Sequence, residues 1–357
     1  MIFQRALLRE MANLAAATFV ALFLIALTMR LVRLLGQAAS GKLPSDAVLA
    51  FLGFFALYVL PVLLSLALFI AVLLALTRAF RDSEMVIWFG AGLAPSAWVR
   101  PVLVFAAPLV AVIAALAMFI SPWAAARSDE YRARLEARDE VSRVEPGAFA
   151  ESRSRARVYF VEAAAEPGTV RNVFVNSVQH GRSGVMMSAR AWTETAPNGD
   201  RFLVLIDGRR YEGTPGAADF RVMEFDRYAL RIEAREGPQP EASARSLSTA
   251  ALIARPTPQN LGELLWRVGV PVSALVLALL AIPLAYVNPR AGRSINLLFA
   301  LLVYMTYSNL LSVSQARVAQ GKLEFALGVW LVHGAMLAVL AALFAWRAAP
   351  LRLRWRR

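Results

Sequence analysis

Arg30 and Arg33 follow directly on the charge-free run Met11–Met29. Three residues apart on a helix, they share one face. Two guanidinium groups so placed have two uses. They can reach along their apolar stems and rest at phospholipid headgroups. They can also take up a phosphorylated lipid, because a guanidinium matches phosphate oxygens with paired hydrogen bonds. Residue type and spacing leave both open.

A second group lies at 80–93, FRDSEMVIWFGAGL. The cluster Arg81-Asp82-Ser83-Glu84 opens a segment with apolar residues at helical spacing. Asp82 or Ser83 is placed to cap a helix, and Glu84 in the first turn opposes its dipole. Met85, Trp88 and Phe89 share a face, and Gly92 is placed to end the helix. Such a helix either lies in the membrane interface or docks in a groove on a soluble partner.

Other chemistry is excluded or weak. GQAASGKL (36–43) comes within one residue of the phosphate-cradling G-x-x-x-x-G-K-[ST] pattern, but Leu43 lacks the hydroxyl that would hold Mg²⁺. It follows an apolar helix and meets Pro44, so it reads as a short outer loop and no ATP hydrolysis is expected of this chain. There is no cysteine, hence no disulfide and no thiolate metal site. His180 and His333 are far apart in sequence and receive no role. No H-E-x-x-H, nucleophile elbow or Cys/His cluster occurs. Catalytic, cofactor and metal residues are therefore expected to be none.

The elements that position these groups are membrane helices. Hydrophobic residues make up 58% of the 357, charged residues only 18%, and mean hydropathy is +0.53. Six stretches lack any charge over a spanning length of about 20 residues: Met11–Met29, Ala47–Thr77, Pro101–Ala126, Val268–Pro289, Ser294–Ala316 and Phe325–Trp346. The absence of acids and bases inside them argues against an ion-driven carrier or a membrane-embedded enzyme. Ala47–Thr77 would reach roughly 46 Å as one helix, so it is expected to enter along the interface, to tilt or to kink at Pro61. The first run lacks a small-residue cleavage site and is read as a retained helix.

The net charge of +13 is carried entirely outside residues 127–266, a block with equal numbers of acids and bases. Charge that flanks apolar runs reports topology rather than nucleic-acid binding. With the N-terminus inside, twelve basic residues of the short flanks fall inside and six outside, which supports cytoplasmic N- and C-termini. The neutral block then lies outside. It opens with SDEYRARLEARDE (128–140), a helix with acid–base neighbours at three and four spacing. Five strand-like segments follow, RVYFVEA, VRNVFVNSV, GVMMSARAW, RFLVLIDG and FRVMEFDRYALRIEA, separated by Gly, Pro or Asn turns. They imply an antiparallel sandwich or incomplete barrel. A polar linker over about 237–260 leads back.

Five stretches carry a resemblance: LVRLLG (31–36), SEMVIWFGAGL (83–93), YEGTPGAADFRVMEFDRY (211–228), IPLAYVNPRAGR (282–293) and QGKLE (320–324). With the three-plus-three helix layout they make the whole chain resemble the permeases of the lipopolysaccharide-export ABC transporter, the LptF/LptG family, and its F-type member most closely. The resemblance implies an α-helical membrane protein with six transmembrane helices and an inserted periplasmic all-β jellyroll-like domain. The expected divisions are 1–126 for helices one to three, 127–260 for the β domain, and 261–357 for helices four to six with a basic tail.

It also implies function. The expected activity is extraction of lipopolysaccharide from the bacterial inner membrane for delivery toward the outer membrane. Expected partners are a second permease of the family as a heterodimer, a cytosolic ATPase dimer that binds Mg-ATP, and a periplasmic bridge protein with its own jellyroll. The family's coupling helix maps onto about 81–92, with Arg81, Asp82, Glu84, Trp88 and Gly92 as its residues and Glu84 toward the ATPase. Its lipid-phosphate contacts map onto Arg30 and Arg33, with Arg30 standing where some members carry lysine. A permease for another lipid or lipoprotein, or a membrane anchor displaying a β domain, would share much of this architecture; bound lipid and a co-purifying ATPase separate them.

Overall fold

Backbone removed from water must satisfy its own hydrogen bonds, and a helix does so within one segment. The apolar runs accordingly form long helices in the computed structural model. It describes the chain apart from residues 1, 41–42, 93–94, 143–148, 152–156, 167–168, 180–181, 196–200, 214–220, 233–242, 287–292 and 355–357. Two units are distinct: Met1–Asp129 with Ala242–Arg357, and Glu130–Glu241.

The first unit begins with α1 (Ile2–Ala39) and α2 (Ala47–Arg81). The residues 36–39 of the near-phosphate-loop motif belong to α1, so that half of the expected loop is helix; Gly41 and Lys42 lie outside the described residues. Pro61 sits inside α2, which remains one element of 35 residues. A short helix, α3 (Glu84–Gly90), and a 3₁₀ turn, Pro95–Trp98, lead to α4 (Val99–Ala115). A π turn, Leu116–Ile120, joins α4 to α5 (Ser121–Ser142). After the second unit come α6 (Thr249–Ala254), α7 (Pro258–Leu284), α8 (Arg293–Ala319) and α9 (Phe325–Arg354). The expected linker thus ends earlier than residue 260, because Ser248 and Thr257 cap α6 and α7 with their hydroxyls.

Among the described residues, five helical stretches are long and apolar enough to cross a membrane: Arg5–Ala39, Ala47–Arg81, Ser96–Leu135, Pro258–Leu284 and Phe325–Arg347. The sixth charge-free run lies in α8, a helix of 27 residues. The core is built mainly by α2 and α7, with Leu68, Phe69, Val72 and Leu76 meeting Ala274, Leu277, Leu280 and Ala281. Gly262 and Gly269 admit α8 closely to α7; a Cβ on either would come within 2.7–2.8 Å of Ala319 or Leu311. The most apolar stretch of α1 buries no residue within this chain.

The second unit holds a six-stranded antiparallel sheet: β1 (Phe149–Glu151), β2 (Arg157–Glu166), β3 (Thr169–Gln179), β4 (Arg182–Thr195), β5 (Arg201–Gly213) and β6 (Arg221–Ile232). They pair in chain order. The described strands thus form an antiparallel meander, each pairing with the next in the chain. Val173, Val175, Met186, Leu205 and Leu230 form its buried face. One rung is skipped across five strands: Glu162, Asn172, Ala189, Asp207 and Asp226 lie between paired neighbours and are themselves unpaired in register. Asn172 and Asp207 there have φ of 49° and 52°, a left-handed conformation that Asn and Asp tolerate best among residues with a side chain. The rung creases the sheet.

Gly208 stands beside that crease, and a Cβ there would meet Met187 O and the Phe225 ring, each at 2.5 Å. Gly208→Ala is expected to destabilise the β unit by about 1–3 kcal/mol. Limited proteolysis of the full-length protein checks this: cleavage within 130–241 should quicken while the helical unit keeps its fragment pattern.

Candidate functional site

The end of α2 gathers charge from three helices. Arg78 Nε and Nη2 bind both carboxylate oxygens of Glu10 on α1, Nη2 to Oε2 at 2.7 Å. Its Nη1 donates to Glu84 Oε1 at 2.9 Å and to Asp82 Oδ2 at 3.1 Å. Arg81 Nε donates to Asp82 Oδ1 at 3.3 Å. Exposed pairs of this kind each contribute only about 0–1 kcal/mol, but a forked guanidinium shared by three carboxylates also fixes direction. Glu84 is thereby held by Arg78, which is held by Glu10.

The chain turns sharply between α2 and α3. Asp82 N–H donates to Arg78 O at 2.9 Å and Ser83 N–H to Phe80 O at 3.2 Å. Ser83 has φ 62° and makes no side-chain cap. The expectation that Asp82 or Ser83 caps the helix by its side chain is therefore corrected: Ser83 takes the N-cap position in a left-handed conformation with no side-chain cap bond, and Asp82 accepts from Arg78 and Arg81 instead. The short helix is α3, Glu84–Gly90, rather than 81–92, because Arg81 is the last residue of α2. Gly92, at φ +88°, takes the left-handed position after it, its N–H donating to Phe89 O at 3.0 Å.

The apolar face of α3 is turned inward. Met85 is fully buried, and Trp88 and Phe89 pack on the same core. Trp88 meets Trp98 with ring centroids 4.7 Å apart. Phe89 meets Phe80 at 6.1 Å, Phe80 meets Tyr286 at 5.2 Å, and the Arg347 guanidinium lies 4.2 Å from the Tyr286 ring centre. These contacts join α3 to the end of α2, to Tyr286 just beyond α7 and to Arg347 of α9. Trp88 faces the bundle, which leaves Arg81, Asp82, Ser83, Ile87 and Gly90–Gly92 exposed among the described side chains.

Arg30 and Arg33 are not equivalent. Arg30 is half-buried, its guanidinium 5.2 Å from the Phe55 ring centre on α2, while Arg33 is exposed. A cation held against an aromatic face is oriented as well as charged.

Two buried polar groups escaped the sequence reading. Arg267 and Glu263 pair at 3.0 Å, 2% and 8% exposed in their side chains; their four-residue spacing was visible, their burial was not. His333 Nδ1 lies 2.6 Å from Tyr307 Oη in the buried region between α8 and α9, a partnership 26 residues apart that no local pattern signals. His180 and the VNPRAG stretch at 287–292 lie outside the described residues.

A family model described as "Lipopolysaccharide export system permease LptF/LptG" matches residues 5–346. The chain belongs to this family. It is 27% identical over 355 residues to the lipopolysaccharide export system permease protein LptF of Escherichia coli strain K12, spanning 99% of this chain and 97% of that protein. The same figures hold for LptF of Shigella flexneri. Family membership and the apolar helices make this LptF/LptG permease a multi-pass inner-membrane protein with an inserted antiparallel β unit.

Proposed function

We propose that the chain is an F-type permease subunit of an ABC transporter that extracts lipopolysaccharide from the inner membrane and sends it toward the outer membrane. The observation that carries this is the match of one family across residues 5–346, both helical parts and the β unit included. The partners are a second permease of the family, a dimeric cytosolic ATPase that binds Mg-ATP, and a periplasmic bridge protein. This chain contributes no nucleotide site; it contributes the path and the recognition. ATP-driven movement of the partner reaches α3 and passes through the Phe80–Tyr286 contacts and the Arg78 fork into the bundle. Arg30 and Arg33 receive lipid phosphate. Purification of the complex followed by identification of bound protein and lipid tests the reading: an ATPase and lipopolysaccharide are expected, and another lipid class or no ATPase overturns it.

Both termini and α3 are cytoplasmic in this reading, and the β unit is periplasmic. The cysteine-free chain makes that directly measurable. A cysteine at exposed Val222 in β6 should react with an impermeant thiol reagent applied to spheroplasts, and one at Ser83 only after permeation. The reverse pattern overturns the orientation. Asn198, in the turn APNGD, is a further periplasmic position, outside the described residues.

A further inference from the structure

Arg267 is 2% exposed, the most deeply buried charge among the described residues. It stands one residue before an apolar run, where one counter-ion would settle its charge. Glu263, one turn earlier, supplies that ion through Nε at 3.0 Å. The remaining donors go to a single stretch of chain. Nη1 donates to Thr249 Oγ1 at 2.9 Å. Nη2 is shared among the carbonyls of Leu247, Arg245 and Ala244 at 2.9, 3.2 and 3.3 Å. The guanidinium therefore fixes the segment that returns from the β unit.

Thr249 extends the connection. Its hydroxyl donates to Met118 O at 2.6 Å, inside the π turn Leu116–Ile120. Single π turns are rare and concentrate at functional positions. Ser121, next in the chain, donates to Tyr58 O of α2 at 3.2 Å. The helix that leads to the β unit, the segment that leads back, and α7 are thus joined by directional bonds in an otherwise apolar unit. Apolar contacts alone would hold these segments together yet let them slide; hydrogen bonds of fixed geometry do not.

We propose that Arg267 and Thr249 are positioning residues for transport: they hold the π turn before α5 and the segment 244–249 to α7, so that motion of α7 is passed to the chain leading toward the β unit and to the chain returning from it. This rests on the permease reading above. The test uses the full complex, with its second permease and ATPase, in proteoliposomes containing lipopolysaccharide. Thr249→Val removes the hydroxyl at nearly constant volume and leaves the Arg267–Glu263 pair and the carbonyl bonds. Assembly and ATPase rate should match the parent, while lipid released per ATP falls at least about fivefold, since the hydroxyl's two hydrogen bonds, to Met118 O and from Arg267, are both lost. Thr249→Ser should restore it. Arg267→Lys, which keeps the charge without the fork, should show the same split. Unchanged lipid per ATP in Thr249→Val overturns the proposal. So does a parallel loss of assembly, hydrolysis and transport in Thr249→Val and Arg267→Lys, which would mark a purely structural node. A parent complex that moves no lipopolysaccharide rejects the permease reading instead.

Discussion

Replacing Glu84 by alanine is expected to reduce lipid moved per ATP hydrolysed by up to about fivefold, because an exposed charge pair is worth up to about 1 kcal/mol and about 1.4 kcal/mol is a factor of ten. The change removes one of three carboxylates on Arg78. Arg78 keeps Glu10 and Asp82, so the end of α2 is not left with an unpaired charge. Met85, Trp88 and Phe89 still seat α3 on the core. A loss of transport with α3 in place therefore reads coupling and not collapse. Two routes lead to that loss, and a companion variant separates them. If Glu84 acts through the Arg78 fork, Glu10→Gln should uncouple to a similar degree from the α1 side. If Glu84 acts by touching the ATPase, Glu10→Gln should retain transport while Glu84→Ala weakens ATPase association. The measurement is lipid release and phosphate release from one set of vesicles, with ATPase retention on the purified complex. Normal values for Glu84→Ala on all three leave Glu84 as a helix-end charge.

The parts of the fold that follow from local pattern were legible. Among the described residues the charge-free runs are helical, except that the fourth leaves helix after Leu284, and each alternating segment from RVYFVEA onward lies in a strand. β1, three residues long, is too short for alternation to register. The crease is illegible for another reason: it depends on left-handed residues at Asn172 and Asp207 that share a rung only once the strands are paired. Helix ends fail similarly. FRDSEM has the composition of a capped start, yet Ser83 adopts a turn that no propensity demands, and α3 begins at Glu84. The charged residues at the candidate site were visible one by one; their partners were not. Glu10 and Arg78 are 68 positions apart, and Thr249 and Met118 are 131 apart. Spacing also left the apolar face of α3 ambiguous between a partner and its own bundle. Burial of Met85 decides for the bundle, which shifts the surface open to a partner toward Arg81, Asp82 and Ile87.

Arg30→Glu combined with Arg33→Glu is expected to abolish lipopolysaccharide export. Both residues lie in α1 beyond the charge-free run, with Arg30 braced on Phe55 and Arg33 exposed. A charge-assisted bond from each to lipid phosphate would contribute about 1.5–3 kcal/mol when partly desolvated. Loss of both, followed by repulsion of the anionic headgroup, exceeds the tenfold step of about 1.4 kcal/mol. Replacement by two lysines should keep part of the activity, since charge survives but the fork does not. The structure adds an asymmetry. Arg33 has freedom to follow a ligand, so a photo-crosslinker there should capture more lipopolysaccharide than one at Arg30. Arg30 is oriented by the Phe55 ring, so Phe55→Ala should weaken lipid capture without any change in charge. Arginines that merely rest at headgroups behave otherwise: Gln at both positions would leave export unchanged, the double Glu protein would still export, and neither crosslinker would capture lipid. Export and crosslinking in the same cells therefore decide whether α1 recognises the substrate or only meets the membrane.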